Sequence, residues 1–217
     1  PYLNEGLRMI TEGLPPSIIE SAAKQLGFPL GPIQLVDETS IELGAKIARA
    51  TRAAMGKSYP NDQIDEILFW MEDNGRLGRK AKAGFFNYNE NGKREGFWTG
   101  LEEKYPISKT IPHLTEVQHR LMFIQALEAV RALEDGVLMD IREGDVGAVL
   151  GWGFAPWSGG PLSWLDILGT PYAAERSQEL CKTYGPRFDC PPLLADMGKN
   201  NEAFYERFSP EKLDTTL

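Results

Sequence analysis

The sequence predicts an all-α fold of two related helical bundles, with a small β-hairpin near residues 84–95. Apolar residues recur at helical spacing along most of the chain, as in amphipathic helices. A glycine-proline loop occurs twice, which indicates an internal duplication. The run Phe85–Tyr88 is followed by Asn91-Gly92, a dipeptide typical of a hairpin turn.

The repeated loop is the feature around which the rest of the chain is organised. Its first copy spans Gly27–Asp37 and its second spans Gly153–Asp166. Upstream residues recur at a constant separation of 123 positions, in the pairs Glu5/Glu128, Arg8/Arg131 and Gly13/Gly136. The separation grows to 126 and then 129 across the loop, as two small loop insertions would produce. We therefore predict two domains, 1–111 and 112–217.

Helical periodicity and local stop signals predict the elements of the first copy. Gly13 is expected to end the first helix, and a capping box formed by Ser17 and Glu20 to open the second. Pro32 suits the first position of a third helix. The predicted helices are 2–12, 17–27, 32–55 and one from Asn61 to about Gly75.

The second copy is predicted to follow the same order. Its helices are expected at 115–133, 144–150, from Pro161, and at 172–183, while the tail after Pro192 is predicted to be less regular. Phe204-Tyr205 echo Phe85-Phe86 only weakly. Residues 89–112 are polar and rich in turn formers, so the boundary between domains is placed within them, near 111.

Composition excludes several classes of function. The 217 residues carry a formal charge of -8 and a sequence pI near 4.9, which disfavours nucleic acid and anionic lipid as partners. Cys181 and Cys190 show neither disulfide nor zinc spacing, so a reducing, cytoplasmic setting and no metal are predicted. No apolar run reaches the roughly 18 residues of a membrane span, and no signal segment is present. The chain opens inside a helical pattern without Met, as expected of a fragment of a longer protein.

Three stretches together resemble the C-terminal helical domain of the L-3-hydroxyacyl-CoA dehydrogenase family. They are Pro1-Tyr2-Leu3-Asn4-Glu5, Gly27 to Pro32 with Leu35 and Asp37, and Gly75 to Tyr88. Two tandem copies resemble the dehydrogenase part of multifunctional β-oxidation α-subunits. The resemblance implies a parent enzyme that transfers hydride between NAD and a 3-hydroxyacyl-CoA.

In this family the resemblance assigns the chemistry to a His held by a Glu in an N-terminal Rossmann domain, and to an Asn just before the Pro-Tyr-Leu motif. None of these residues lies in this chain. In the second copy, His119 stands at the position equivalent to that Asn. We therefore predict no catalytic and no cofactor-binding residue here, and an inactive chain by itself. Lys82 and Leu150 depart from the residues that relatives carry. The implied partners are acyl-CoA, the missing Rossmann domain and a second subunit in a homo-oligomer.

The predicted substrate-binding residues form the first glycine-proline loop: Phe28, Pro29, Leu30, Gly31 and Pro32. Backbone amides at a helix N-terminus stabilise negative charge, so this loop is expected to help line the cleft that holds the acyl thioester. The alternative is a plain turn that starts a helix. Asp37, Asp166, His113 and His119 are assigned no catalytic role.

The basic segment is the cluster Arg76, Arg79, Lys80 and Lys82. It is interpreted either as a solvated face or as a contact with the CoA phosphates or another domain. A second hypothesis for the whole chain is a non-enzymatic helical interaction module used for dimerisation. A dinucleotide-binding fingerprint encoded upstream would distinguish the two.

Overall fold

The structure is a computed structural model that describes residues 1–59 and 63–208. Within these residues the chain is mostly helical, with one antiparallel pair of strands. The predicted all-α class with a small hairpin is therefore confirmed.

In the first copy the structure describes six α-helices and the hairpin. In chain order these are α1 (Tyr2–Thr11), α2 (Pro16–Gln25), α3 (Pro32–Thr39), α4 (Ile41–Met55), α5 (Gln63–Asp73), β1 (Phe86–Tyr88), β2 (Arg94–Phe97) and α6 (Gly100–Lys104). In the hairpin Phe86 lies opposite Phe97 and Tyr88 opposite Arg94. The turn between the strands closes through Gly92, whose N–H donates to the Asn89 carbonyl at 2.9 Å. The predicted start of α5 at Asn61 lies outside the described residues.

In the second copy, through residue 208, the structure describes six further α-helices. They are α7 (Leu114–Glu134), α8 (Ile141–Trp152), α9 (Pro161–Leu168), α10 (Thr170–Tyr184), α11 (Pro192–Asn200) and α12 (Phe204–Arg207). Two segments of the tail predicted to be less regular, Pro192–Asn200 and Phe204–Arg207, are helical. Leu194 and Met197 are buried and α11 packs against α10, so tertiary packing stabilises helices too short for a clear periodic signal.

The chain divides into two compact units. The first unit comprises Tyr2–Lys24 and Leu30–Val117, and the second comprises Pro1, Gln25–Pro29 and Gln118–Leu217, described here through residue 208. The core of the first unit includes Leu7, Met9, Ile19, Ile33, Ile41, Ile67 and Phe85. The core of the second unit includes Leu121, Phe123, Phe154, Leu162, Leu180, Phe188 and Phe204.

Several elements of the two predicted copies match in length and spacing. Helices α3 and α9 both have 8 residues, α4 and α10 both have 15, and each pair begins 129 positions apart. Helices α1 and α7 end 123 positions apart, and each is followed by a glycine of positive φ, Gly13 at 86° and Gly136 at 68°.

The predicted helix from Pro32 to Met55 is wrong, because Ser40 interrupts it. Ser40 has φ 83° and ψ 121°, which no helical residue adopts, and it separates α3 from α4. The N–H of Ile41 then donates to the Leu77 carbonyl at 3.1 Å instead of continuing α3. In the second copy Gly169 has nearly the same conformation, φ 83° and ψ 127°. The interruption is therefore a feature of the repeated unit.

Across residues 1–59 and 63–208, every helix falls short of the length or the apolar character that a membrane span requires.

Candidate functional site

The first two residues of the predicted substrate loop belong to the second unit. Phe28 is buried and meets Phe154 edge to face, with ring centroids 5.6 Å apart. The indole N–H of Trp157 donates to the Leu26 carbonyl at 2.7 Å, which fixes the chain just before the loop. Pro29 is exposed. Phe28 is thus a core side chain of this unit, and Pro29 presents its ring to solvent.

The last three residues of the loop belong to the first unit. The Tyr2 hydroxyl donates to the Leu30 carbonyl at 2.9 Å, and the Gly31 carbonyl accepts from the Leu35 N–H at 3.0 Å to begin α3. Pro32 packs so closely on α1 that a Cβ at Gly6 would lie 2.6 Å from its ring. The Leu30 side chain is half-buried and is the part of this half-loop open to a ligand.

Glu20 holds the N-terminus of α3. Its Oε1 accepts from the N–H of Ile33 at 2.8 Å and from the N–H of Gln34 at 3.1 Å. The predicted capping box with Ser17 is therefore wrong: Glu20 is buried and caps the following helix, because α2 packs it beneath the loop. Burial raises the pKa of the Glu20 carboxyl, while the two amide hydrogen bonds oppose that rise. The amides expected to stabilise substrate charge are bonded to Glu20.

The second copy repeats this capping with a shorter side chain. The Asp145 carboxylate accepts from the Leu162 N–H at 2.8 Å and from the Ser163 N–H at 2.9 Å, at the N-terminus of α9. The Ser163 hydroxyl adds a bond of 2.6 Å and the Tyr205 hydroxyl one of 2.9 Å. Glu20 and Asp145 are thus the same structural position in the two copies.

Asp37 joins α3 to the hairpin of the first unit. Its carboxylate accepts from the N–H of Phe85 at 2.8 Å, the N–H of Phe86 at 3.0 Å and the hydroxyl of Tyr88 at 2.9 Å. Burial raises the pKa of Asp37 and these three donors lower it. The carboxylate is 1% exposed and both of its oxygens accept hydrogen bonds from the hairpin, so its arrangement is that of a structural crosslink.

Asp166 makes the corresponding crosslink in the second unit. It accepts from the N–H of Phe204 at 2.7 Å and from the N–H of Tyr205 at 3.0 Å. Burial raises its pKa as well. Phe204-Tyr205 therefore occupy the place of Phe85-Phe86, and the weak sequence echo corresponds to a conserved hydrogen-bond pattern between the copies.

The basic segment separates into internal and outward side chains. Arg76 is internal: its Nε donates to the Gly84 carbonyl at 2.6 Å, its Nη2 to Asn87 Oδ1 at 2.7 Å, and its guanidinium lies 4.5 Å from the Trp98 ring. Arg79 forms an ion pair with Glu38 at 2.8 Å.

The other two members, Lys80 and Lys82, are exposed. They border a hollow of about 450 Å³ that Glu38 and Glu90 also line, so its walls carry both signs of charge. Lys82 has φ 58°, a left-handed conformation that favours glycine.

The two histidines lie at the start of α7 and within its first turns. His113 Nδ1 lies 3.1 Å from the Thr115 hydroxyl at the start of α7. His119 accepts a hydrogen bond from Arg176 Nε at 3.0 Å and meets the Phe123 ring edge to face. Among residues 1–59 and 63–208, no cluster of three or more His, Cys, Asp or Glu side chains could hold a metal ion.

Sequence reasoning missed the capping role shared by Glu20 and Asp145. A signal was present, because both acidic residues precede their glycine-proline loops, at Gly31 and Gly160, by similar distances of 11 and 15 residues. The change from Glu to Asp and the loop insertions concealed the match.

Comparison with known proteins agrees with the predicted resemblance. Residues 1–88 match the family described as 3-hydroxyacyl-CoA dehydrogenase, C-terminal domain. Two solved structures share the fold. A 3-hydroxybutyryl-CoA dehydrogenase from Escherichia coli K12 matches with a TM-score of 0.65 and 18% identity over 93% of this chain. The dehydrogenase part of multifunctional enzyme 1 from Caenorhabditis elegans matches with a TM-score of 0.65 and 21% identity over 90%.

This chain spans 58% of the E. coli structure and 45% of the C. elegans structure. Because the identities are low, these likenesses show the fold, whereas the family match rests on the first copy. The predicted resemblance is confirmed over residues 1–88, which match the C-terminal domain of the 3-hydroxyacyl-CoA dehydrogenase family.

Proposed function

We propose that this chain is the helical, substrate-side region of an NAD-dependent L-3-hydroxyacyl-CoA dehydrogenase. The observation that carries the proposal is the family match over residues 1–88, which includes both the loop Phe28–Pro32 and the segment Gly75–Tyr88. The fold likeness supports it, since it extends over both copies, to 93% of the chain.

In this proposal the chain binds and orients substrate while another domain performs the hydride transfer. The sequence contains no glycine-rich dinucleotide fingerprint, so NAD and the general base are assigned to a Rossmann domain outside these residues. Leu30 and Pro29 are the loop side chains open to a ligand, and they offer apolar surface to the acyl thioester. Since the α3 amides are bonded to Glu20, the proposed contact is apolar rather than charge-stabilising.

The region is also proposed to hold subunits or domains together, in a cytoplasmic homo-oligomer. Support comes from large exposed apolar side chains of the second unit, including Val137, Leu150 and Trp152.

A comparison of two proteins tests the proposal: residues 1–217 alone, and the same residues joined to the dinucleotide-binding domain of a relative. Only the longer protein should reduce NAD with 3-hydroxybutyryl-CoA, because only it holds the general base and the cofactor. Turnover by residues 1–217 alone, or tight NADH binding to them, would contradict the assignment. Inactivity of both proteins, with a folded joined domain that binds NADH, would favour the non-enzymatic interaction module.

The loop assignment has its own test in the longer protein. Leu30→Asp should raise the KM for acyl-CoA about tenfold or more, because a charge replaces apolar contact. Ile107→Asp is the matched control, since Ile107 is an exposed apolar residue outside the loop. Equal KM values in the two variants would exclude the loop from substrate binding.

A further inference from the structure

The first unit contains a cleft of about 460 Å³ whose lining is mainly aliphatic, with polar residues such as Asn4, Thr51 and Asp65 among it. Helix α1 contributes Leu3 and Leu7, α3 contributes Val36, α4 contributes Leu43 and Ile47, and α5 contributes Leu68. The volume falls within the usual range of about 300 to 1,000 Å³ for small-molecule sites. The cleft is separate from the loop Phe28–Pro32, none of whose residues lines it.

Several polar groups of this cleft are engaged within the protein. Asp65 Oδ2 accepts from Arg52 Nε at 2.8 Å and from the Tyr59 hydroxyl at 2.7 Å. The Thr39 hydroxyl donates to the Leu35 carbonyl at 2.9 Å. A ligand would therefore meet mainly branched alkyl groups, which offer dispersion contact and exclusion of water.

Two aliphatic side chains of the cleft are left in water. Leu43 is 51% exposed and Ile47 is 57% exposed, although both face a wall that includes the fully buried Leu7. Exposed apolar area in a concave site is the surface from which binding an alkyl chain gains free energy, because water leaves both surfaces.

The second copy has different side chains at the positions that correspond to the exposed aliphatic wall of the cleft. With the separation of 129 positions, Tyr172 replaces Leu43 and Arg176 replaces Ile47. Arg176 is hydrogen-bonded to His119 on α7 at 3.0 Å and paired with Glu179 at 2.7 Å. The duplicated scaffold has thus placed a guanidinium network where the first copy keeps aliphatic walls.

We propose that the cleft between α1, α3, α4 and α5 binds the linear aliphatic tail of the acyl group carried by the substrate. This inference rests on the proposed function and extends it, since it assigns the acyl tail to a subsite distinct from the loop. The ligand chemistry is an alkyl chain without a charged head, because the exposed side chains of the cleft, Leu43 and Ile47, are aliphatic and the charge of Asp65 is already paired with Arg52.

Calorimetry on residues 1–217 tests the cleft with two series of probes, 1-alkanols and saturated acyl-CoA thioesters, each from six to twelve carbons. Both series should bind more tightly with length, by up to about fourfold per methylene, which corresponds to about 0.8 kcal/mol. Ile47→Glu and Ile47→Arg should each flatten this dependence. The negative charge of Ile47→Glu and the positive charge of Ile47→Arg should shift the overall affinity for the anionic CoA in opposite directions. If both variants nevertheless lose the dependence of affinity on chain length, that loss reports the contact with the alkyl tail alone.

Ile107→Glu and Ile107→Arg are the matched controls, because Ile107 is 44% exposed in the same unit and does not line the cleft. Both controls should keep the wild-type slope. Unchanged slopes in the Ile47 variants, or no length dependence in either series, would overturn the inference. Length dependence confined to the alkanols would overturn the assignment to the substrate tail. Binding of acyl-CoA with an affinity independent of chain length would also overturn the assignment of the tail to the cleft, while leaving the proposed function in place.

Discussion

At Gly31 the loop has no room for a side chain larger than a hydrogen atom. Its φ of -69° is ordinary, so the conformation itself does not require glycine. The requirement is steric, since a Cβ there would overlap the Glu20 carboxylate that caps α3. Gly160 and Asp145 repeat this relation in the second copy. The glycine of each glycine-proline pair therefore makes room for a buried carboxylate.

Gly31→Ala is expected to lower the free energy of unfolding by about 1–3 kcal/mol, because the methyl group displaces Glu20 from the amides of Ile33 and Gln34. Urea denaturation measures this loss. Gly96→Ala is the control, since nothing lies within 4 Å of a Cβ at Gly96. Equal stability of the two variants would show that Glu20 moves aside without cost.

The Glu20 carboxyl should also make stability depend on pH. Burial raises its pKa in the folded protein above the unfolded value of about 4.3. The folded state then binds the proton more tightly, so the contribution is fully present below about pH 4.3 and is lost as pH rises through the folded pKa.

Glu20→Gln removes this titration. From about pH 4 to pH 7, the unfolding free energy of the wild type should fall relative to that of Glu20→Gln. Urea denaturation at several pH values checks this difference, with the exposed Glu103→Gln as control, whose curve should run parallel to the wild type. A wild type that gains stability over Glu20→Gln as pH rises would reverse the expected sign.

At the scale of elements, local sequence was sufficient for most helices and for the hairpin. Helix α1 ends one residue from its predicted limit, and α7 lies within one residue of its prediction at both ends. These elements have clear apolar periodicity or glycine stops, which act locally. Residue-level signals of this kind do not require knowledge of the fold.

The interruption at Ser40 and the partner of Glu20 were not predictable in the same way. Serine has no preference for φ 83°, so Ser40 adopts it because Ile41 bonds to Leu77, 36 positions later. Glu20 reaches Ile33, 13 positions later, only after α2 and α3 have packed. Both features depend on tertiary contacts. For the interruption at Ser40, the only signal in the sequence is Gly169 at the corresponding position of the second copy.

Exchanging serine and glycine at positions 40 and 169 tests how much the positive φ at the helix interruption costs in stability. Ser40→Gly should raise the free energy of unfolding by about 1 kcal/mol, since it removes a strained positive φ and loses only two long hydrogen bonds of the hydroxyl, one from the Leu43 N–H at 3.4 Å and one to the Leu77 carbonyl at 3.5 Å. Gly169→Ser should lower it by about 1 kcal/mol or more, for the same reason. Thermal denaturation of both variants and of their combination provides the check. Destabilisation by Ser40→Gly would show that the serine hydroxyl contributes more than the strain costs.

At the scale of the whole molecule, the two copies differ most in what their surfaces expose. In α8 the side chains Val146 and Leu150 lie one helical turn apart on an exposed face, and Leu150 is 80% exposed. With Glu20 aligned to Asp145, the corresponding residues of α2 are Ser21 and Gln25, both polar. The apolar face is therefore particular to the second copy, as expected of an interface rather than of the shared fold.

This face should make the protein self-associate. Sedimentation coefficients of residues 1–217 should rise with concentration, and added salt should strengthen association because it screens the repulsion between molecules of charge -8. Leu150→Glu should restore a monomer, since burying an unpaired carboxylate at the contact is costly. Ile107→Glu adds the same charge away from α8 and should leave association unchanged. A wild type that stays monomeric at every concentration, or that associates equally well with Leu150→Glu, would show that α8 does not form the contact, and the homo-oligomer would need another surface.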